Sequence, residues 1–149
     1  LLLGALFVLL GCSSEAKSEF VFEHNMGKQK ITYVYDKSKD SVTSLTFDIS
    51  YDIANNKDME TQIRNMRESI VTEINGIEGV TVTQSDSEKE LKVTVAVDLK
   101  KFKYDDEEGR QKAPSLYSSI HAALVKKNDI YSFEESKKNI LDEGFKEAK

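Results

Sequence analysis

SLTFDISYDIANNKDMETQIRNMRESIVTEI, residues 44–74, changes its hydrophobic period midway, and that change decides the fold class. In its first part Leu45, Phe47, Ile49, Tyr51 and Ile53 alternate with Ser44, Thr46, Asp48, Ser50 and Asp52, the two-residue period of a strand with one buried face. From ANNKDME onward the period becomes 3.6: Met59, Ile63, Met66, Ile70 and Ile74 form one stripe, with Arg64, Arg67, Glu68 and Glu73 largely off it. Asn55 or Asn56 is the expected N-cap, and Asp58 and Glu60 stand where the positive end of a helix dipole favours acids. Asn75 and Gly76 supply a pair able to reach positive φ, so the spacing predicts a helix over about 57–75.

The same alternation extends outward on both sides. Upstream, Phe20, Phe22 and His24 share a face, NMG at 25–27 makes a turn, and Ile31, Tyr33 and Tyr35 alternate with Thr32, Val34 and Asp36. The polar turn DKSKDS at 36–41 joins this second strand to the third, giving a three-stranded meander. Downstream, Val80 and Val82, the turn SDSEK at 85–89, and Leu91, Val93, Val95, Val97 and Leu99 predict a hairpin with one apolar face. Residues 103–114, KYDDEEGRQKAP, are charged, contain the only proline and read as a loop. Pro114 suits the first turn of a short helix carrying Leu116, Ile120, Ala123 and Leu124. Ser132 and Glu135 form a capping-box pattern, Phe133, Ile140 and Leu141 supply an apolar side, and Gly144 stops a C-terminal helix, with Phe145 packing back onto the core. Single-faced strands need one cover. The expected architecture is α+β: an antiparallel sheet of about five strands covered on one face by the long helix and the C-terminal helix.

At 149 residues the chain fits one domain, and at that size folding buries roughly 70% of the surface the unfolded chain exposes. With 39% hydrophobic and 32% charged residues it is neither disordered throughout nor a bundle of membrane spans. Its net charge of −5, from 26 acidic and 21 basic residues with no basic stripe, argues against nucleic acid as a partner, since such binding rests on neutralising phosphates.

A single cysteine excludes an intramolecular disulfide and a cysteine-based zinc site. It ends the apolar run LLLGALFVLLGC at 1–12, which is shorter than the ~20 residues of a spanning helix but of the size of a signal-peptide h-region. A basic n-region is expected ahead of Leu1. LLGC at 9–12 resembles a lipobox: the Cys12 thiol accepts diacylglycerol through a thioether, and the small Gly11 lets a signal peptidase cut between Gly11 and Cys12. An ordinary secretory signal with an incidental cysteine, or a buried apolar strand, competes with this reading. The small, polar SSEAKSE at 13–19 favours lipidation, because it forms a tether rather than a strand of the core. The expected organisation is a cleaved remnant at 1–11, lipidated Cys12 and tether at 12–19, and one domain at 20–149.

Reactive constellations are scarce. Asp105, Asp106, Glu107 and Glu108 offer oxygens to a hard cation, but lack the spacing of a Ca²⁺ loop and read as a solvated charge run. His24 and His121 are far apart in sequence and read as packed or exposed rather than as metal ligands or bases. No nucleophile-elbow, zincin, P-loop or dinucleotide motif occurs. Tyr33, Tyr35 and Tyr51 invite an aromatic binding surface, although core positions suit them better, and Met59 and Met66 likewise read as core. No catalytic residue, metal site or cofactor site is predicted.

KITYVY at 30–35, INGIEGV at 74–80, VDLKKF at 97–102 and EGFKEAK at 143–149, taken in order, resemble the YehR-like lipoproteins of bacterial envelopes. The resemblance implies a lipid-anchored α+β domain on the extracytoplasmic side of a bacterial membrane, and it implies no chemistry. The expected role is therefore non-enzymatic: a module binding an envelope protein or cell-wall component through the polar sheet face or an edge strand. The alternative is a carrier for a small molecule, lipid or ion, with the sheet and helices enclosing a cavity.

Overall fold

A computed structural model describes residues 14–148. The predicted meander is present as β1 (Glu15–His24), β2 (Gly27–Asp36) and β3 (Ser41–Asp52), and the hairpin as β4 (Val80–Asp86) and β5 (Glu90–Asp98). These five strands lie in the order β4-β5-β3-β2-β1, all antiparallel. Register puts Phe20, Ile31, Phe47, Val95 and Val82 side by side, one apolar rung across all five. The opposite face carries Thr32, Thr46, Thr81, Thr83 and Thr94 and is polar, as alternation requires.

The sheet has eight strands rather than about five. β6 (Val125–Lys127) and β7 (Ile130–Ser132) form a small hairpin that joins β3 where Ser41 meets Ser132, and β8 (Lys146–Glu147) pairs with β1 at Val21 and Phe20. Strands of two or three residues are too short to show a period. The first strand also starts inside the segment read as a tether. β1 begins at Glu15, because β2 is long enough to pair with Glu15–Glu19 although those residues bear no large apolar side chain. Between β2 and β3 a bulge inserts Thr43, since Val34 pairs with Ser44 and Tyr35 with Val42. Val42 and Leu45 thereby both face inward.

Four α-helices accompany the sheet: α1 (Glu60–Ile74), α2 (Glu107–Lys112), α3 (Pro114–Ala123) and α4 (Phe133–Asp142), with a 3₁₀ turn at Lys57–Met59 ahead of α1. The segment read as a loop thus contains α2, whose start is capped where Asp106 accepts from the Gly109 amide at 3.2 Å. Local capping, invisible to hydrophobic periodicity, explains that helix. Neither Asn55 nor Asn56 caps α1 with its side chain; the Asn56 amide instead donates to the Asp52 carbonyl at 2.8 Å. Ser132 does cap α4, accepting from Glu135 N at 3.1 Å, and Asp40 in the β2–β3 turn accepts from Glu134 N at 2.9 Å. That second bond ties the meander to a helix more than ninety residues later.

The stripe of α1 is displaced by one position from its sequence reading. Ile63, Arg67 and Ile74 are buried with Ile70 partly so, whereas Met66 is 42% exposed and is not core. Residues 63, 67, 70 and 74 are spaced i, i+4, i+7 and i+11, so an arginine occupies an apolar position. Its guanidinium reaches past the stripe to the Asp86 carboxylate at the end of β4, donating from both terminal nitrogens, with Nη2 3.0 Å from Oδ2. Met59 packs against a small second cluster of Tyr51, Ile53, Ile63 and Leu91.

Two glycines are dictated by close approach. At Gly27 (φ 149°) a Cβ would stand 1.8 Å from the Ser50 carbonyl oxygen, and at Gly79 (φ 83°) 2.6 Å from Phe102 N. The INGIEGV segment owes its second glycine to this passage beneath the turn that follows β5.

Candidate functional site

The site is an apolar cavity of about 250 Å³ between the inner sheet face and the helices. Its floor is Ile31, Phe47, Ile49 and Val95, which register places on two adjacent rungs of β2, β3 and β5. Ile70 and Ile74 of α1 form one wall, and Ile140 at the end of α4 with Phe145 forms another. Leu116 and Ala123 of α3 are buried in the roof, while Ser115, Ser119 and Ala122, at i, i+4 and i+7, are exposed at the rim. Small side chains over a floor of large ones leave the volume unfilled. Interiors are ordinarily close-packed, and an apolar cavity of roughly 150 Å³ already holds benzene.

Polar groups converge at the edge of this cavity. Gln29 of β2 shares the inward phase with Ile31 and Tyr33, and its side-chain amide makes no hydrogen bond to any described residue. Glu73 of α1 accepts from the Ser115 amide at 3.1 Å, and Glu143 stands exposed just after α4. Neither lysine nor arginine is among the described lining residues. Gln29 was the one available signal in the sequence, a polar residue on the core phase of a strand; the cavity itself depends on volumes contributed by six elements.

The residues singled out from sequence are not brought together. Gly11 and Cys12, the cleavage and lipidation positions, lie outside the described residues. His24, at the end of β1, accepts the Met26 amide on Nδ1 at 3.2 Å. His121 in α3 stacks on Tyr104 with ring centroids 4.0 Å apart, and its Nε2 lies 2.9 Å from the Tyr104 carbonyl oxygen. The two histidines share no partner among the described residues. Asp105 pairs with Lys126 at 3.2 Å, Asp106 caps α2, and Glu107 and Glu108 occupy its first turn. No cluster of three or more metal-ligating side chains occurs among the described residues.

The strand tyrosines are mainly structural. Tyr33 is fully buried and donates to the Ala123 carbonyl at 2.6 Å, and burial pushes its hydroxyl well above the ordinary phenol range. Tyr35 stacks on Phe133 at 3.7 Å and shares a hydrogen bond with Ser18, while Tyr51 lies in the second cluster, its hydroxyl pKa also raised by burial. The Arg67–Asp86 pair has the only buried side-chain polar atom without a partner among the described residues, Arg67 Nε. Hydrogen bonding to Arg67 holds the Asp86 carboxyl below the usual carboxylate range, with help from the charges of Arg67 and Arg64.

No helix among the described residues is long and apolar enough to cross a membrane. No family model matches the chain, and neither does any curated protein sequence. Solved structures do match. The NMR structure of the YehR protein of E. coli superposes with a TM-score of 0.68 at 20% identity, covering 92% of this chain and 93% of that one. The NMR structure of a protein from Streptococcus pneumoniae TIGR4 superposes at 0.59 with 15% identity, covering 91% of this chain and 86% of that one. The chain therefore has a YehR-like fold.

Proposed function

We propose that this chain is a non-enzymatic binding module of the bacterial envelope, tethered through lipid on Cys12, that takes a small apolar ligand into the cavity between its sheet and helices. The carrying observation is the cavity itself: about 250 Å³ of apolar-lined space with a few polar groups at its rim, the usual form of a small-molecule site. The YehR-like fold and the lipobox pattern support membership of the YehR-like lipoproteins and an extracytoplasmic location. Attachment predicts that Cys12→Ala loses acyl labelling and membrane retention; a labelled, membrane-bound variant would remove the anchor from this reading.

Ligand entry is tested by titrating the full chain with indole, a neutral apolar probe. Amide shifts should concentrate at Ile49, Ile70, Ala122 and Phe145, with a rise in melting temperature as ligand exceeds its Kd. Shifts elsewhere only, with no thermal effect, would defeat it. A second reading rests on β4, which pairs only with β5 among the described residues and so presents a free edge. A protein partner adding a strand there would protect β4 amides from hydrogen exchange.

A further inference from the structure

We infer that the cavity selects amphiphiles with a cationic, amine-type head: the apolar part enters beneath α3, and the ammonium stays at the rim with Glu73 and Glu143. This inference rests on the proposed binding role. Its own support is the sign of the charge at the rim. Glu73 and Glu143 are the charged residues lining the cavity, and both are acids.

Neither carboxylate is consumed by a cation. Among the described residues, Glu73 is engaged only through Oε1 with the Ser115 amide, and Glu143 forms no ion pair. A carboxylate-headed amphiphile such as a fatty acid would meet like charge there and neither lysine nor arginine among the described lining residues. An ammonium finds charge-assisted acceptors, with the Gln29 amide and the Ser119 hydroxyl completing a polar collar. Phe145, half-buried at the same edge, offers a ring that favours cations over anions. The chain's net charge of −5 acts in the same direction at longer range.

The test uses three probes of one chain length, n-octylamine, 1-octanol and octanoate, titrated calorimetrically into the full chain at neutral pH. Octylamine should bind about ten-fold more tightly than octanol, the worth of one good charge-assisted contact, and octanoate most weakly. In the Glu73→Gln/Glu143→Gln double variant, octylamine should fall to within about two-fold of octanol, and octanol should change less, since the glutamine oxygens still accept from its hydroxyl while the ion contact is lost. Ser119→Trp, an exposed rim substitution, should block all three. Octanoate binding as tightly as octylamine, or an amine preference that survives the double variant, overturns the inference. If all three bind equally and Ser119→Trp blocks them, the cavity reading stands and the amine inference fails. If none binds, both fail.

Discussion

The two ends of the sheet's inner face are finished in opposite ways. At one end Tyr33, Tyr35 and Phe133 lock together, and Phe20 reaches them from the rung it shares with Ile31, Phe47 and Val95. Tyr33 meets Phe20 edge-on at 5.7 Å and Phe133 at 5.6 Å, and Tyr35 stacks on Phe133 at 3.7 Å. At the other end Ile31, Phe47, Ile49 and Val95 face Ser115, Ser119 and Ala122, and the space stays open. Sheet and helices are the same at both ends. The difference lies in α4, which begins with a phenylalanine driven onto the sheet and stops at the cavity, where Gly144 (φ 105°) turns the chain past Phe145 into β8. On the proposed reading, stability is concentrated at the aromatic end and the other end is left to bind.

Phe133→Ala breaks that arrangement most severely. It removes a ring that is 3% exposed and contacts three other aromatic side chains. A loss of about 3–5 kcal/mol is expected in urea unfolding, as for buried phenylalanines generally. A loss below about 1 kcal/mol would mean that the aromatic end does not anchor the fold.

Tyr33→Phe is the next largest change, because it leaves the Ala123 carbonyl without its 2.6 Å donor in a buried setting. The expected cost is about 1–3 kcal/mol. It also carries a pH signature. Burial raises the Tyr33 pKa in the folded state, so its contribution is fully present below the ordinary value of about 10 and is lost as pH rises through the folded value. The wild-type chain should lose stability more steeply than Tyr33→Phe as pH rises above about 10; equal slopes would contradict the buried hydroxyl.

How much of this was legible in the sequence follows from length and volume. β2, β3 and β5 are nine residues or longer, and their alternation revealed them. β6, β7 and β8, at three, three and two residues, have no period to show. The helix α1 was visible, yet its buried face was misread at one position. Helical geometry allows 63-67-70-74 as readily as 63-66-70-74, and only the position of Asp86 on a neighbouring strand favours Arg67. The aromatic end was half legible, since Tyr33 and Phe133 stand at core phase and at a capped helix start. The cavity was not, because a void is a difference between volumes supplied by segments far apart in sequence.

The Arg67–Asp86 contact predicts a smaller effect, confined to acid. Hydrogen bonding to Arg67 lowers the Asp86 pKa in the folded state, so the stabilisation is present above the unfolded value of about 3.9 and is lost as pH falls through the folded value. Asp86→Asn should flatten the acid limb of the stability curve below about pH 4 relative to wild type. The carboxylate is 42% exposed, so solvent screening keeps the change modest. An unchanged acid limb would leave the pair with no role in stability.

Ala122→Leu gives the smallest effect on stability and the sharpest contrast with Phe133→Ala. Adding methylenes to a close-packed interior forces neighbours off their rotamers and costs about 1–3 kcal/mol. Ala122 is exposed at the cavity rim, so a leucine there can fold inward over Ile49 and Ile70 without displacing either. Unfolding free energy should move by no more than about 0.5 kcal/mol, the range of surface substitutions, while indole binding is lost. The same kind of side chain would then be indispensable when removed from one end and harmless when added at the other. A destabilisation above about 1 kcal/mol would show that the space beneath α3 is already committed to packing, and the contrast between the two ends would disappear.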